Sequence, residues 1–255
     1  MKLAGRTVLI TGGRRVGSHL AREVARRGAN VAMTWFSRRE PIEQTIADVE
    51  SLGVRGLAIQ ADLRDPDQAE RFVSEAARTL GSVDVLVNMA SIFEATPFDE
   101  LTPTDFHDHV AANLTGPYFT AIAAARQMRT QPVVDGLQGK IINFTDWAVD
   151  RPYRNFLPYF IAKGGLAAMT AALAVELAPT IAVNAIAPAM IDPPPHLSAE
   201  EIAAIRDESP LRRIGSPQDA VNLAMFLIEG SDFVTGATYR LDGGRFLGAA
   251  PDQEP

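Results

Sequence analysis

Residues 7–27 read TVLITGGRRVGSHLAREVARR. The run from Thr7 to Thr11 is apolar or β-branched throughout, the pattern of a strand buried on both faces, and Leu20 and Val24 then recur at helical spacing between Ser18 and Arg27. Between the two stand Gly12, Gly13 and Gly17. Glycines let the backbone turn and approach a phosphate, while the start of a helix offers free N–H groups and a partial positive charge. A glycine turn alone is equally well explained as an ordinary strand-to-helix connection. Placed at the opening of a βαβ unit it favours a dinucleotide, with Gly12, Arg14, Arg15, Val16 and Gly17 around the pyrophosphate.

The rest of the chain repeats the alternation. Runs suited to buried strands recur at Asn30 to Trp35, Gly56 to Ala61, Val83 to Asn88, Lys140 to Thr145, Ile181 to Ala187 and Thr238 to Leu241, with helical patterns between them. Pro41 to Leu52 carries Ile42, Ile46 and Val49 on one face; Asp67 to Leu80 carries Phe72, Val73 and Ala76. Thr102-Pro103 and Ser216-Pro217 mark helix starts, and Ser198 with Glu201 forms a capping box. This order predicts one α/β domain over residues 1–248: a Rossmann-type, doubly wound, parallel seven-stranded sheet with helices on both faces. The Pro193-Pro194-Pro195 run and the short helix after it predict a substrate loop or lid near residues 190–215, at the strands' carboxyl ends. Ala249 to Pro255 reads as a frayed tail.

Composition narrows the function. The 255 residues are 47% hydrophobic and 22% charged, which argues against disorder, and the net charge of −7 gives no general attraction to nucleic acid or to an anionic membrane. With no cysteine there is no disulfide, thiolate metal site or cysteine nucleophile, which fits a reducing, cytoplasmic setting; no leader and no span of about 18 uninterrupted apolar residues is expected. His19, His107, His109 and His196 show no metal-ligand spacing, and His107 and His109, two apart on a helix, face different ways. No metal site is expected.

Chemistry is concentrated between Asp146 and Lys163. Tyr159 and Lys163 are four residues apart, on one face of a helix, so a held ammonium should stabilise the tyrosinate and bring the phenol below its usual value of about 10. Tyr159 is then a candidate acid. At the end of the second strand, Thr34-Trp35-Phe36-Ser37-Arg38-Arg39 has no carboxylate for an unphosphorylated ribose. Ser37, Arg38 and Arg15 would instead hold a 2′-phosphate, and hence NADPH; the competing reading of Arg38 and Arg39 is solvated surface charge. Asp62-Leu63 at the end of the third strand suits the adenine. The stretch from Ala162 to Ala178 is small and apolar nearly all round, so one face of that helix should meet a second copy of the chain in a dimer or tetramer.

Taken together, the glycine-turn opening, Asn88-Met89-Ala90 after the fourth strand, Asn113, and Tyr159 four residues before Lys163 make the chain similar to the short-chain dehydrogenase/reductase family over essentially its whole length. The resemblance implies a nicotinamide cofactor, Tyr159 as acid/base, Lys163 binding the nicotinamide ribose and tuning the tyrosine, and Asn113 supporting a proton-relay water. It also places Asn88, Ala90, Pro188 and Ile191 along the cofactor, with Asp242-Gly243-Gly244 as the end-of-core signature. Three departures stand out. The glycine loop is one residue short with Arg15 at the middle glycine, Met89 and Ser91 replace residues of the usual Asn-Asn-Ala-Gly, and Asp146 occupies the serine position thirteen residues before Tyr159. These features, with Ala90-Ser91-Ile92-Phe93, resemble the pteridine reductase branch, including its dihydromonapterin reductase-like members, whose serine and aromatic on the substrate map to Ser91 and Phe93.

An ionised aspartate only accepts hydrogen bonds, whereas a serine hydroxyl also donates, so Asp146 suits a substrate edge rich in N–H groups rather than a plain ketone. Phe93 would give a flat face for ring stacking and Arg15 an anion partner; as structural residues, Phe93 would be core packing, Ser91 a turn and Asp146 a local acceptor. The expected activity is NADPH-dependent reduction of a pteridine C=N bond, with substrate contacts from Arg15, Ser91, Phe93, Asp146 and Tyr159. A carbonyl reductase of the same fold and a non-catalytic nicotinamide sensor are the alternatives.

Overall fold

The computed structural model describes residues 1–13, 15–193 and 197–248; Arg14, Pro194, Pro195, His196 and the expected tail from Ala249 lie outside the described residues. Seven parallel strands, β1 (Thr7–Thr11), β2 (Asn30–Trp35), β3 (Gly56–Gln60), β4 (Val85–Asn88), β5 (Gly139–Phe144), β6 (Ile181–Pro188) and β7 (Thr238–Leu241), form one sheet in the order β3-β2-β1-β4-β5-β6-β7. Each expected strand is present, with ends shifted by no more than two residues. The order reverses beside β1, and the crevice opened there at the carboxyl ends of β1 and β4 is where a doubly wound sheet takes its ligand.

The helices are α1 (Val16–Arg26), α2 (Glu40–Glu50), α3 (Pro66–Leu80), α4 (Pro103–Val110), α5 (Gly116–Arg129), α6 (Leu157–Glu176), α7 (Ala199–Asp207) and α8 (Pro217–Met225). Alternate strand residues serve opposite cores, because side chains leave a strand on alternating faces. Val8, Ile10, Val31 and Met33 pack with Leu20, Val24, Ile42, Val49 and Val221 on the α1, α2 and α8 side. Leu9, Leu86, Ile141 and Val183 pack with Phe72, Val73, Ala124, Met128 and Leu173 on the α3, α5 and α6 side. Both faces are therefore dry, which is why the strands read as continuous apolar runs.

Local chemistry sets several helix ends. The capping boxes Thr102/Asp105, Ser198/Glu201 and Ser216/Asp219 are all formed, and α3 stops at Gly81, whose φ of 101° suits glycine. Between α4 and α5 the helix widens into one π turn, Ala111–Thr115. Pro117 has no N–H to donate to the carbonyl four residues earlier, at Asn113, and a wider turn absorbs that missing bond without ending the helix. The widened turn carries Asn113. Helix α6, with 20 residues, is apolar enough by length and composition to cross a membrane, but its inner face, including Tyr159, Lys163, Leu166 and Leu173, is buried in the molecule.

Candidate active site

Where β5 ends, Asp146 begins a short 3₁₀ turn, Trp147–Asp150, and its Oδ1 accepts the Ala148 N–H at 2.8 Å. Its other oxygen faces α6. The Tyr159 hydroxyl, in the first turn of α6, donates to Asp146 Oδ2 at 2.9 Å, and Lys163, one turn on, donates from Nζ to the Phe144 carbonyl at 2.8 Å. Tyr159 is 5% exposed and Lys163 3%. The ammonium lies 5.8 Å from the centroid of the Tyr159 ring.

This geometry corrects one expectation. The Tyr159 phenol is pushed well above its ordinary value, first by burial and then by the charge and hydrogen bond of Asp146. Lys163 does not bring it down; its own pKa is lowered to about 8 by burial, with Asp146 opposing. Burial also raises the Asp146 carboxyl, against the bonds from Ala148 and Tyr159 and the charge of Lys163. Desolvation wins because losing water costs each charge several kcal/mol, more than the roughly 1.5–3 kcal/mol net from a charge-assisted hydrogen bond.

Above this group lies an aromatic wall. Phe93 stacks on Phe156 with centroids 4.4 Å apart and 7° between planes, and meets Tyr159 edge-on at 4.9 Å. Phe93 remains 54% exposed, so it is not core packing. Tyr153 continues the wall, edge-on to Phe156 and Phe160, while Trp147 lies beneath the Arg245 guanidinium. Ser91, expected at the substrate, instead donates to Asn113 Oδ1 at 2.7 Å. Asn113 is fully buried and its amide is taken up by Ser91, Ile92 and His109 rather than left open to a relay.

The glycine loop fits a dinucleotide. Gly12 and Gly13 have φ of 61° and 81°; a Cβ on Gly12 would stand 3.1 Å from the Ala90 backbone, and one on Gly13 would stand 2.9 Å from Gly17 Cα. Helix α1 starts at Val16 with no side-chain cap, and in its first turn the Ser18 N–H is taken by the Gly13 carbonyl at 2.9 Å; the helix start still favours an anion. Thr11 Oγ1 accepts from Met89 N and Ala90 N at 3.0 and 3.2 Å, tying the loop to the end of β4. Asn88 donates to Asn143 and Pro117 while its buried Oδ1 has no partner. Pro188 ends β6, and Ile191 forms an isolated bridge with Gly215 near the mouth of the sheet.

Other expected contacts are arranged differently. Arg15 donates from Nη1 to the Asp192 carbonyl at 2.8 Å, so the glycine loop is strapped to the segment after β6. Asp62 is gripped by Arg64 through four hydrogen bonds of 2.7 to 3.1 Å, three from the guanidinium and one from the backbone N–H, and they lower its pKa; Leu63 beside it is buried. Ser37 and Arg38 are exposed beyond β2, with no ion pair on Arg38 among the described residues. Arg14 cannot be placed, being outside the described residues.

The profile of the family described as enoyl-(acyl carrier protein) reductase matches residues 13–245. The chain is 31% identical over 249 residues to the 3-oxoacyl-(acyl-carrier-protein) reductase FabG of Staphylococcus aureus, covering 95% of this chain and 98% of that one. It is 32% identical over 244 residues to an uncharacterised oxidoreductase of Escherichia coli, YohF, covering 94% of each. A short-chain dehydrogenase from Burkholderia cenocepacia, solved in complex with NADP, superposes with a TM-score of 0.87 at 31% identity, covering 96% of this chain and 99% of that one. The chain belongs to the short-chain dehydrogenase/reductase family.

Within this short-chain dehydrogenase/reductase, and as an oxidoreductase of that family, the residues that fit a nicotinamide dinucleotide are the glycine loop, the Asn88–Ala90 segment, Lys163 and the end of β6. Sequence reasoning missed two members of the site. Phe156 backs Phe93, and His109 touches both Asn113 and the Tyr159 ring. The signal for His109 lies in its position four residues before Asn113, hence on the same helix face.

Because its pKa is raised on folding, Asp146 adds stability below the unfolded carboxyl value of about 3.9 that is lost as pH rises through the higher folded value. Asp146→Asn has no charge to bury. It is expected to melt above the parent at neutral pH, by a margin that shrinks as the solution is acidified towards about pH 4. Paired thermal melts across that range check it; a variant less stable at neutral pH would reverse the assignment.

Proposed function

We propose that the chain is an NADPH-dependent reductase that delivers a hydride to the C=N bond of a pteridine-type ring, a dihydropterin or dihydrofolate-like substrate, in the cytoplasm. One observation carries the reading: a carboxylate 2.9 Å from the Tyr159 hydroxyl, under a stacked and accessible Phe93/Phe156 wall. The Asp146 oxygen that carries no proton can accept from the amino-pyrimidinone edge of such a ring, and the phenyl face suits its plane. The nicotinamide supplies the hydride when bound.

Proton delivery runs through the Tyr159–Asp146 hydrogen bond. With Asp146 protonated, its O–H turns to the Tyr159 oxygen and frees the phenolic proton for the substrate nitrogen. As that proton leaves, the Asp146 proton refills the phenol, so the charge left behind is a carboxylate near the Lys163 ammonium rather than a tyrosinate beside a carboxylate. Lys163, fixed on the Phe144 carbonyl, stays close enough to stabilise it. Asn113 holds the Ser91–Ile92 segment below the ring wall.

A second reading, reduction of a carbonyl such as a 3-oxoacyl thioester or a sugar, is favoured by the relatives: FabG carries that activity in its name. The complete Tyr159, Lys163 and Asp146 group gives a purely sensory protein no support. For assembly, we propose a dimer or tetramer built on the outer face of α6. Leu157, Ile161 and Val175 are exposed there, beside an apolar groove lined by Leu114, Tyr118, Gly165, Ala168, Met169 and Ala172.

Tyr159→Phe should lose about 10²- to 10⁴-fold in kcat on the true substrate. In a panel of dihydropterins, small ketones and oxoacyl thioesters, Asp146→Ser should abolish pterin turnover under the first reading and improve ketone turnover under the second. For the cofactor, Arg38→Ala is expected to raise the Kd for NADPH by about tenfold while leaving NADH nearly unchanged, measured by fluorescence titration; tighter binding of NADH by the parent would overturn the NADPH assignment. Sedimentation at micromolar concentration should give two or four chains per particle, reduced to one by Ala168→Arg; a monomeric parent refutes the assembly.

A further inference from the structure

His109 takes no part in the chemistry above, yet only 1% of it is exposed, and its ring stands edge-on to Tyr159 with centroids 6.1 Å apart. Its state can be deduced from the backbone. The Ile92 N–H can only donate and the Ile92 carbonyl can only accept, and both engage Asn113: N–H to Oδ1 at 3.1 Å, Nδ2 to the carbonyl at 3.1 Å. That pair fixes which end of the amide is which, and the Ser91 hydroxyl adds a second donor to Oδ1. The remaining hydrogen of Nδ2 points to His109 Nδ1 at 3.3 Å, so Nδ1 must be a bare acceptor and the ring proton must be on Nε2. Nε2 is buried with no hydrogen-bond partner.

We propose that His109 is a positioning residue: its unprotonated Nδ1 holds Asn113 in the one amide orientation that clamps Ser91 and Ile92, and so sets where Phe93 presents its face to the substrate ring. A proton on Nδ1 would set N–H against N–H. The amide cannot escape by turning over, because Nδ2 would then face the Ile92 N–H. Acid therefore loosens the clamp. The groups facing His109 are Glu94 from the segment after β4, Asp105 and Asp108 on α4, and Tyr159 from α6. Burial holds the imidazole below its ordinary 6.5, against the pull of those three carboxylates and of the Glu94 backbone, so the clamp is closed at neutral pH.

The test compares the parent with His109→Asn, whose side-chain oxygen can take the place of Nδ1 without titrating, and His109→Leu, which has no acceptor. Its kinetic arm rests on the reductase reading but not on the pteridine class, since it uses whichever panel substrate is turned over fastest with NADPH. Its second arm, the exchange protection of the Ile92 amide by NMR, needs no turnover at all, so failure of the reductase reading is separable from failure of this one. At about pH 7.5 His109→Leu is expected to lose Ile92 protection and to raise the substrate KM about tenfold with kcat changed less than about twofold, while His109→Asn matches the parent. Towards about pH 5 the parent should drift to the His109→Leu behaviour and His109→Asn should not. Full Ile92 protection in His109→Leu, or a pH trend identical in the parent and His109→Asn, overturns the proposal. Should His109→Leu fail to fold, the pH series of the other two proteins decides alone.

Discussion

A buried phenol, a half-buried carboxylate and a buried ammonium meet at the carboxyl end of β5, and the Tyr159–Asp146 hydrogen bond is the contact through which they constrain one another. Burying three such groups is tolerable only if each is held by a partner. Asp146 uses both oxygens, one on Ala148 and one on Tyr159, and Lys163 reaches the last carbonyl of β5. Those bonds dictate that β5 ends at Phe144, that a 3₁₀ turn follows at once, and that α6 begins at Leu157 with Tyr159 in its first turn. Moving any of these by one residue would turn a partner away and leave a buried charge alone.

The same contact decides what kind of proton donor the site offers. A tyrosine beside a free ammonium would be an eager acid; one beside a buried carboxylate is a reluctant one, and its proton is best regarded as belonging to the pair. A neutral hydroxyl in place of Asp146 would leave Tyr159 and Lys163 to act alone. The carboxyl group therefore changes both the set of hydrogen bonds the site can accept and the path of the proton, because it is an acceptor standing next to the donor.

Most of the fold was legible because a sheet covered on both faces must be made of continuous apolar strands, and Val8, Leu9 and Ile10 feed opposite cores in turn. The helix starts at Thr102, Ser198 and Ser216 were legible for a local reason, since each of these side chains finds its partner three residues on. Asp146, Tyr159 and Lys163 could be picked out by spacing, but not the direction of the phenol's shift, which depends on burial, a quantity no spacing reports. Ser91, Asp62 and Arg15 share a feature that their residue type did not reveal. Each was assigned to a ligand by residue type, and each meets a nearer protein partner in Asn113, Arg64 or Asp192.

The π turn explains why a few of these surprises cluster. Pro117 denies the helix one hydrogen bond, the backbone widens over Ala111–Thr115, and the widening turns Asn113 inward with His109 one turn before it. Asn113 then reaches across to the segment after β4 and fixes Ile92 by both its N–H and its carbonyl, with Phe93 next in line. A side chain carried on the widened turn of one helix thus bonds the backbone of the segment that carries an aromatic face. Nothing in the apolar periodicity of residues 103–129 announces this, because periodicity records which face is buried and is blind to a turn that adds one residue.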